Sequence, residues 1–189
     1  MVCAEQQCTN HANPSLRSGT GVKGQANVRQ TRAKREQKQI KNKNYLPEKE
    51  ITMILVSACL AGVPCRYNGE SKLNKDVKQL INDGEALFVC PEQLGGLTTP
   101  RPPAEIINGR VVDKQGRDVT KEFIRGAEIT LELARTYKCK RAILKARSPS
   151  CGKGEIYDGT FTGTLIEGNG ITAELLLKNG IKVINEDDI

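Results

Sequence analysis

The chain has 189 residues, of which 38% are apolar and 4% aromatic, with no Trp; that supports one ordinary domain with a buried core and leaves room for a tail. Its net charge of +7 is concentrated: residues 1–52 hold ten Lys/Arg against four Asp/Glu and the remainder nineteen against eighteen, so most of the chain exerts no general pull on phosphate. No run approaches the roughly 18 apolar residues of a membrane helix, and the opening MVCAEQQCTNHANP lacks the apolar stretch of a secretory signal, which excludes a membrane role and points to the cytoplasm.

Residues 1–52 read as a disordered or linker-like basic extension. The apolar residues of VRQTRAKREQKQIKNKN, from Val28 to Asn44, are too few and too scattered to give a helix a core face. Such a segment fits an upstream extension, an RNA-contacting tail, or a targeting or partner-binding arm. Cys3, Cys8 and His11 form C-x4-C-x2-H, half of a zinc site without a fourth ligand.

From Met53 to Ile189 strand and helix patterns alternate. MILVSAC predicts a buried strand ending near Cys59. NKDVKQLINDG predicts a helix capped by Asn74, with Val77, Leu80 and Ile81 on one face and Gly84 as the stop. ALFVC predicts a second buried strand ending at Cys90. EIINGRVVD predicts a hairpin turning on Asn108-Gly109. DVTKEFIRGAEITLELARTYK is the long helix, its stripe formed by Phe123, Ala127, Leu131 and Ala134. RAILKA, running into RSPSCG, is the third buried strand. ITAELLLKNG is a helix closed by Gly180, and IKVINE is the last strand. This alternation predicts an α/β fold: a single Rossmann-like domain, residues 53–189, with a mainly parallel sheet flanked by helices.

Three of the seven cysteines stand at or just past the carboxyl ends of predicted strands: Cys59, Cys90 and Cys151. Open α/β sheets bind ligands beyond those ends, so three separate strands can deliver three thiols to one crevice. Seven cysteines in a chain of this kind favour thiol or metal chemistry over a disulfide framework. Three thiolates without histidine leave two readings open. One is zinc with Cys65 as fourth ligand, although C-x5-C is not a tight knuckle. The other is an iron–sulfur cluster whose fourth iron stays open as a Lewis acid and favours sulfur in the substrate.

The segments ILVSACLAGVPCRYNG, VCPEQLGGLTTPRPPAEI, DVTKEFIRGAE and LKARSPSCGKGEIYDGTFTGTLIEGNGITAELL resemble the thiouracil desulfidase family. The resemblance spans Met53 to the C-terminus and leaves residues 1–52 outside. It implies a [4Fe-4S] cluster with one open iron, held by Cys59, Cys90 and Cys151, and a small thiolated pyrimidine as substrate. It implies non-redox hydrolysis, water replacing the thiocarbonyl sulfur with release of sulfide and the oxo base. Glu92, two residues after a ligand, is the expected proton carrier. Ser148 or Ser150 would hold the substrate edge or the water, or serve only as turn residues around Pro149. Lys145 would face developing negative charge. Arg101, in a Gly/Pro-rich stretch, would reach inward as one wall of the site or sit in a plain loop. Cys65 is not expected to be a ligand, and Cys139 reads as structural. Two other functions fit the same residues: a tRNA 4-thiouridine desulfidase that uses the basic tail, and a zinc- or cluster-binding module without turnover.

Overall fold

The structure, a computed structural model, describes residues 52–189. The expectations for the basic extension, including Cys3, Cys8 and His11, therefore lie outside the described residues except at Thr52.

Four short strands form the central sheet: β1 (Ile54–Ser57), β2 (Ala86–Val89), β5 (Arg141–Leu144) and β8 (Lys182–Asn185). They run in the order β2-β1-β5-β8, and every pairing is parallel. Side chains alternate across a strand, so each one feeds two cores. Leu55, Ala142, Leu144 and Val183 point to one face, Val56 and Ile143 to the other. The first face is covered by α3 (Thr120–Thr136) and α4 (Ile171–Lys178), which pack on each other. The second is covered by α1 (Lys75–Asn82) through Val77, Leu80 and Ile81. The predicted α/β architecture with a parallel sheet between helical layers is the observed one.

Local signals act where the sequence places them. The Asn74 side chain accepts from the Asp76 and Val77 N–H groups and caps α1, and Gly84 takes a φ of 72° beyond its end. The α3 stripe Phe123, Ala127, Leu131 and Ala134 is buried. β3 (Ala104–Ile107) and β4 (Arg110–Asp113) form the expected antiparallel hairpin, with Asn108 and Gly109 at φ values of 50° and 77°. Two elements go beyond the sequence reading. α2 (Pro91–Leu94) starts on Cys90, and a second hairpin joins β6 (Glu155–Tyr157) to β7 (Leu165–Glu167). Two glycines let α2 lie directly on α3. A Cβ on Gly126 would collide with the Pro91 carbonyl, and one on Gly95 with the Glu122 carbonyl. Among the described residues no helix is long and apolar enough to cross a membrane.

Candidate functional site

The carboxyl ends of β1, β2 and β5 open into a cavity of about 510 Å³. None of the three cysteines sits within a strand. β1 stops at Ser57, and Cys59 lies in the 3-10 turn Ala58–Ala61 that follows. Cys90 is the residue on which α2 begins. β5 stops at Leu144, and Cys151 lies in the turn seven residues later. All three line the cavity, and Cys65 joins them there. All four thiols are free; Cys59, Cys65 and Cys151 are buried and Cys90 is half-buried.

The thiols influence one another. The Cys90 thiol donates to the Cys65 carbonyl at 3.8 Å, and hydrogen bonding with Cys59 and Cys90 pushes the Cys65 thiol far up. The same bonds pull Cys59 below the ordinary thiol range and bring Cys90 down to about 7, against the opposing effect of burial. Burial pushes Cys151 up, with the Ser57 hydroxyl acting in the opposite direction. Cys139 is buried in the core on the α3 side of the sheet and does not line the cavity.

The turn carrying Cys151 rests on the start of α4. The Ile171 N–H donates to the Pro149 carbonyl at 2.9 Å and the Thr172 N–H to Ser150 O at 2.9 Å. Ser148 Oγ lines the cavity and accepts from the Ser150 and Cys151 N–H groups, both at 3.1 Å. With both acceptor positions engaged, its hydroxyl proton is what it has left to offer. Ser150 behaves differently. It is fully buried, its Oγ meets Thr172 Oγ1 at 2.9 Å, and it does not line the cavity. Of the two serines considered from sequence, the structure brings Ser148 to the site and uses Ser150 to seat the turn.

Glu92 lies in the first turn of α2 and faces the cavity. Arg101 reaches inward and grips it, with Nε and Nη2 at 2.8 and 2.7 Å from Oε2. The same guanidinium donates to the Cys65 carbonyl at 3.0 Å and to Thr98 O and Thr99 Oγ1 at 3.0 Å each. One buried arginine thus ties the carboxylate, the thiol segment and the Gly/Pro-rich loop together. Both of its contacts with Glu92 fall on Oε2, leaving Oε1 without a protein partner among the described residues. Lys145 also lines the cavity, but its ammonium is paired with the buried Glu186 and donates to the Ala146 carbonyl at 3.1 Å. Glu186 was not foreseen from the sequence. Its one cue is its position directly after the last strand, where a side chain can turn back over the β5 end.

This set suits a sulfide-bearing cluster. Its donors are soft sulfur atoms, and the chain's one histidine is remote in sequence at His11. Among the described residues no three His, Cys, Asp or Glu side chains close on a position for a single metal ion. A cubane takes each cysteine on a different iron.

A family model described as 2-thiouracil desulfurase matches residues 54–188. The uncharacterized protein YbbK of Bacillus subtilis (strain 168) is 45% identical over 147 residues, a span covering 72% of this chain and 97% of that protein. Among solved structures, the [4Fe-4S]-dependent thiouracil desulfidase TudS shares the fold with a TM-score of 0.70 and 49% identity, over 72% of this chain and 92% of that one.

Proposed function

The chain belongs to the 2-thiouracil desulfurase family, and from that premise we propose that it is a [4Fe-4S]-dependent desulfidase acting on a small thiolated pyrimidine. The observation that carries the reading is the placement of Cys59, Cys90, Cys151, Glu92 and Ser148 around one cavity at the sheet's carboxyl edge. Cys59, Cys90 and Cys151 would hold the cluster. Cys65, beside Cys59 and Cys90 in the same cavity, is not counted among the ligands. When bound, the cluster supplies a soft Lewis-acidic iron for a thiocarbonyl sulfur.

The remaining work falls to the protein. Glu92, fixed through Oε2 by Arg101, takes a proton from the attacking water through its free oxygen. Ser148 donates its hydroxyl proton to the polar edge of the ring, next to Cys151 in the same turn. Lys145 has its charge matched by Glu186, so it acts as a fixed dipole at the wall rather than as an unpaired cation. The net reaction is hydrolysis, with sulfide and the oxo base as products and no external electron donor. The test is anaerobic reconstitution followed by 2-thiouracil in H2(18)O. The expected result is one uracil and one sulfide per turnover, with (18)O in the uracil. Turnover that requires an added reductant would reject the hydrolytic route.

A further inference from the structure

We propose that Phe161, held in place by Glu105, is the surface on which the face of the pyrimidine ring lies; this rests on the desulfidase reading above. A planar heteroaromatic substrate has two needs. Its edges require hydrogen-bonding groups in the plane, and its faces require apolar or aromatic contact. Around the cavity Glu92, Ser148 and Lys145 serve edges and the thiols serve the sulfur. None of them serves a face.

Phe161 lines the same cavity from a different part of the fold, the loop between β6 and β7. Its backbone is in the left-handed region at a φ of 58°, which a side chain of this size rarely adopts. Three separate anchors keep it there. The buried Glu105 of β3 accepts from the Phe161 N–H at 3.0 Å and from the Gly159 N–H at 2.9 Å, both on Oε2. Gly159, at a φ of 92°, lies so close to β3 that an added Cβ would stand 2.6 Å from Ile107 Cγ1. Asp158, Thr160, Thr162 and Thr164 are linked by hydroxyl hydrogen bonds of 2.6, 2.7 and 2.9 Å. A buried carboxylate on two backbone amides and a strained aromatic residue is a costly arrangement for a plain turn. Strain of this kind persists where surrounding structure over-determines it, and it concentrates at ligand sites. The other aromatics of the cavity are less suited. Tyr157 lies within β6, opposite Leu165, and Tyr67 is 42% exposed with the Arg66 guanidinium over its ring. Glu105 is a positioning residue, and Phe161 is the residue that meets the ring.

The test uses iron-loaded protein, with KM for 2-thiouracil and calorimetric binding of uracil as separate readouts. Phe161→Ala is expected to raise KM and weaken uracil binding about 10-fold or more, with iron content and visible absorbance unchanged. Phe161→Tyr should retain wild-type values, and Phe161→Leu should fall between. Glu105→Gln should raise KM by a smaller factor and speed amide exchange across residues 158–164. Uracil affinity and KM within twofold of wild type in Phe161→Ala, at equal iron content, would overturn the proposal. So would loss of iron with unchanged uracil affinity, which would make Phe161 a cover for the cluster. A wild-type protein that loads iron and binds uracil but converts no thiopyrimidine would refute the desulfidase reading while the Phe161 comparison still reads out. Absence in the wild type of both uracil binding and thiouracil turnover would remove both.

Discussion

At the carboxyl edge of the parallel sheet, the chain is positioned by burial. Leu55, Val56, Ala142 and Leu144 are fully buried, so the backbone leaving β1 and β5 has one place to go, and the thiols follow it. The hairpin β6–β7 buries only Ile156 from its strands and is otherwise held in another way. Leu165, Ile166 and Glu167 are all exposed, and the loop is fixed by Glu105, by close contact at Gly159 and by a chain of threonine hydroxyls. Burial is tolerant of small changes but costly to remove. A hydrogen-bonded loop depends on a few atoms each. The sheet side is therefore expected to govern iron, and the hairpin side to govern the organic substrate.

The strongest separation should come from the thiols. Cys59→Ala, Cys90→Ala and Cys151→Ala are each expected to abolish iron binding, while Cys65→Ala and Cys139→Ala retain it. Iron content and visible absorbance of the five reconstituted proteins check this. Loss of iron in Cys65→Ala as complete as in Cys59→Ala would mean a four-thiolate site and no open iron.

Next comes the seam between the two regions, where α2 carries Glu92. Glu92→Gln keeps the shape and can still accept from Arg101, but cannot take up a proton. General acid–base assistance contributes about 100- to 10,000-fold. The variant should keep its iron and lose about two orders of magnitude in kcat. A near-normal rate at equal iron content would move the proton carrier elsewhere; Glu155 and Asp158, the next acids in sequence, do not line the cavity.

These two experiments concern residues that a sequence reader can find. Buried strands announce themselves as short runs such as ILVS and ALFV, and a cysteine just beyond each is conspicuous. The finer geometry is less legible. Cys65 is six residues from Cys59, and nothing in that spacing says that its thiol meets Cys90. Ser148 and Ser150 flank one proline identically in sequence. Only the packing of α4 decides that Ser150 faces Thr172 and Ser148 faces the cavity. The β6–β7 hairpin escaped because its strands are three residues long and β7 is exposed throughout, which erases the alternation a half-buried strand would show. Glu105 and Phe161 are 56 positions apart, and their bond is a product of tertiary structure.

A smaller effect is expected on the hairpin side from Gly159→Ala. The new Cβ meets Ile107, and a φ of 92° is unfavourable for alanine. Together these should cost about 1–3 kcal/mol locally. The loop would shift, raising KM for 2-thiouracil several-fold with iron content unchanged. Equal KM and lower iron would reverse the assignment of the two sides.

The smallest expected effect lies within the thiol cluster of the metal-free protein. Hydrogen bonding from Cys65 brings Cys90 down to about 7 from an ordinary 9.0. At pH 7 about half of it is thiolate, against about 1% for an unperturbed thiol. A weaker base is also a weaker nucleophile, with a Brønsted slope of about 0.4–0.5, so the net gain in alkylation rate at pH 7 is only about fivefold. Iodoacetamide labelling of Cys90 should therefore reach half its limiting rate near pH 7. In Cys65→Ala the midpoint should rise toward 9. Stability carries the same sign. Between pH 7 and 9 the unfolded chain still holds the Cys90 proton that the folded chain has released, so stability rises with pH across that window and is lost as pH falls through 7. Cys59, also lowered, acts in the same direction. Cys65 and Cys151, both raised, act in the opposite direction as pH approaches 9, where the unfolded chain starts to release protons that the folded chain keeps. A Cys90 labelling midpoint that does not move in Cys65→Ala would show that the thiol contact does not set its acidity, and Cys65 would then lose its part in preparing the ligands.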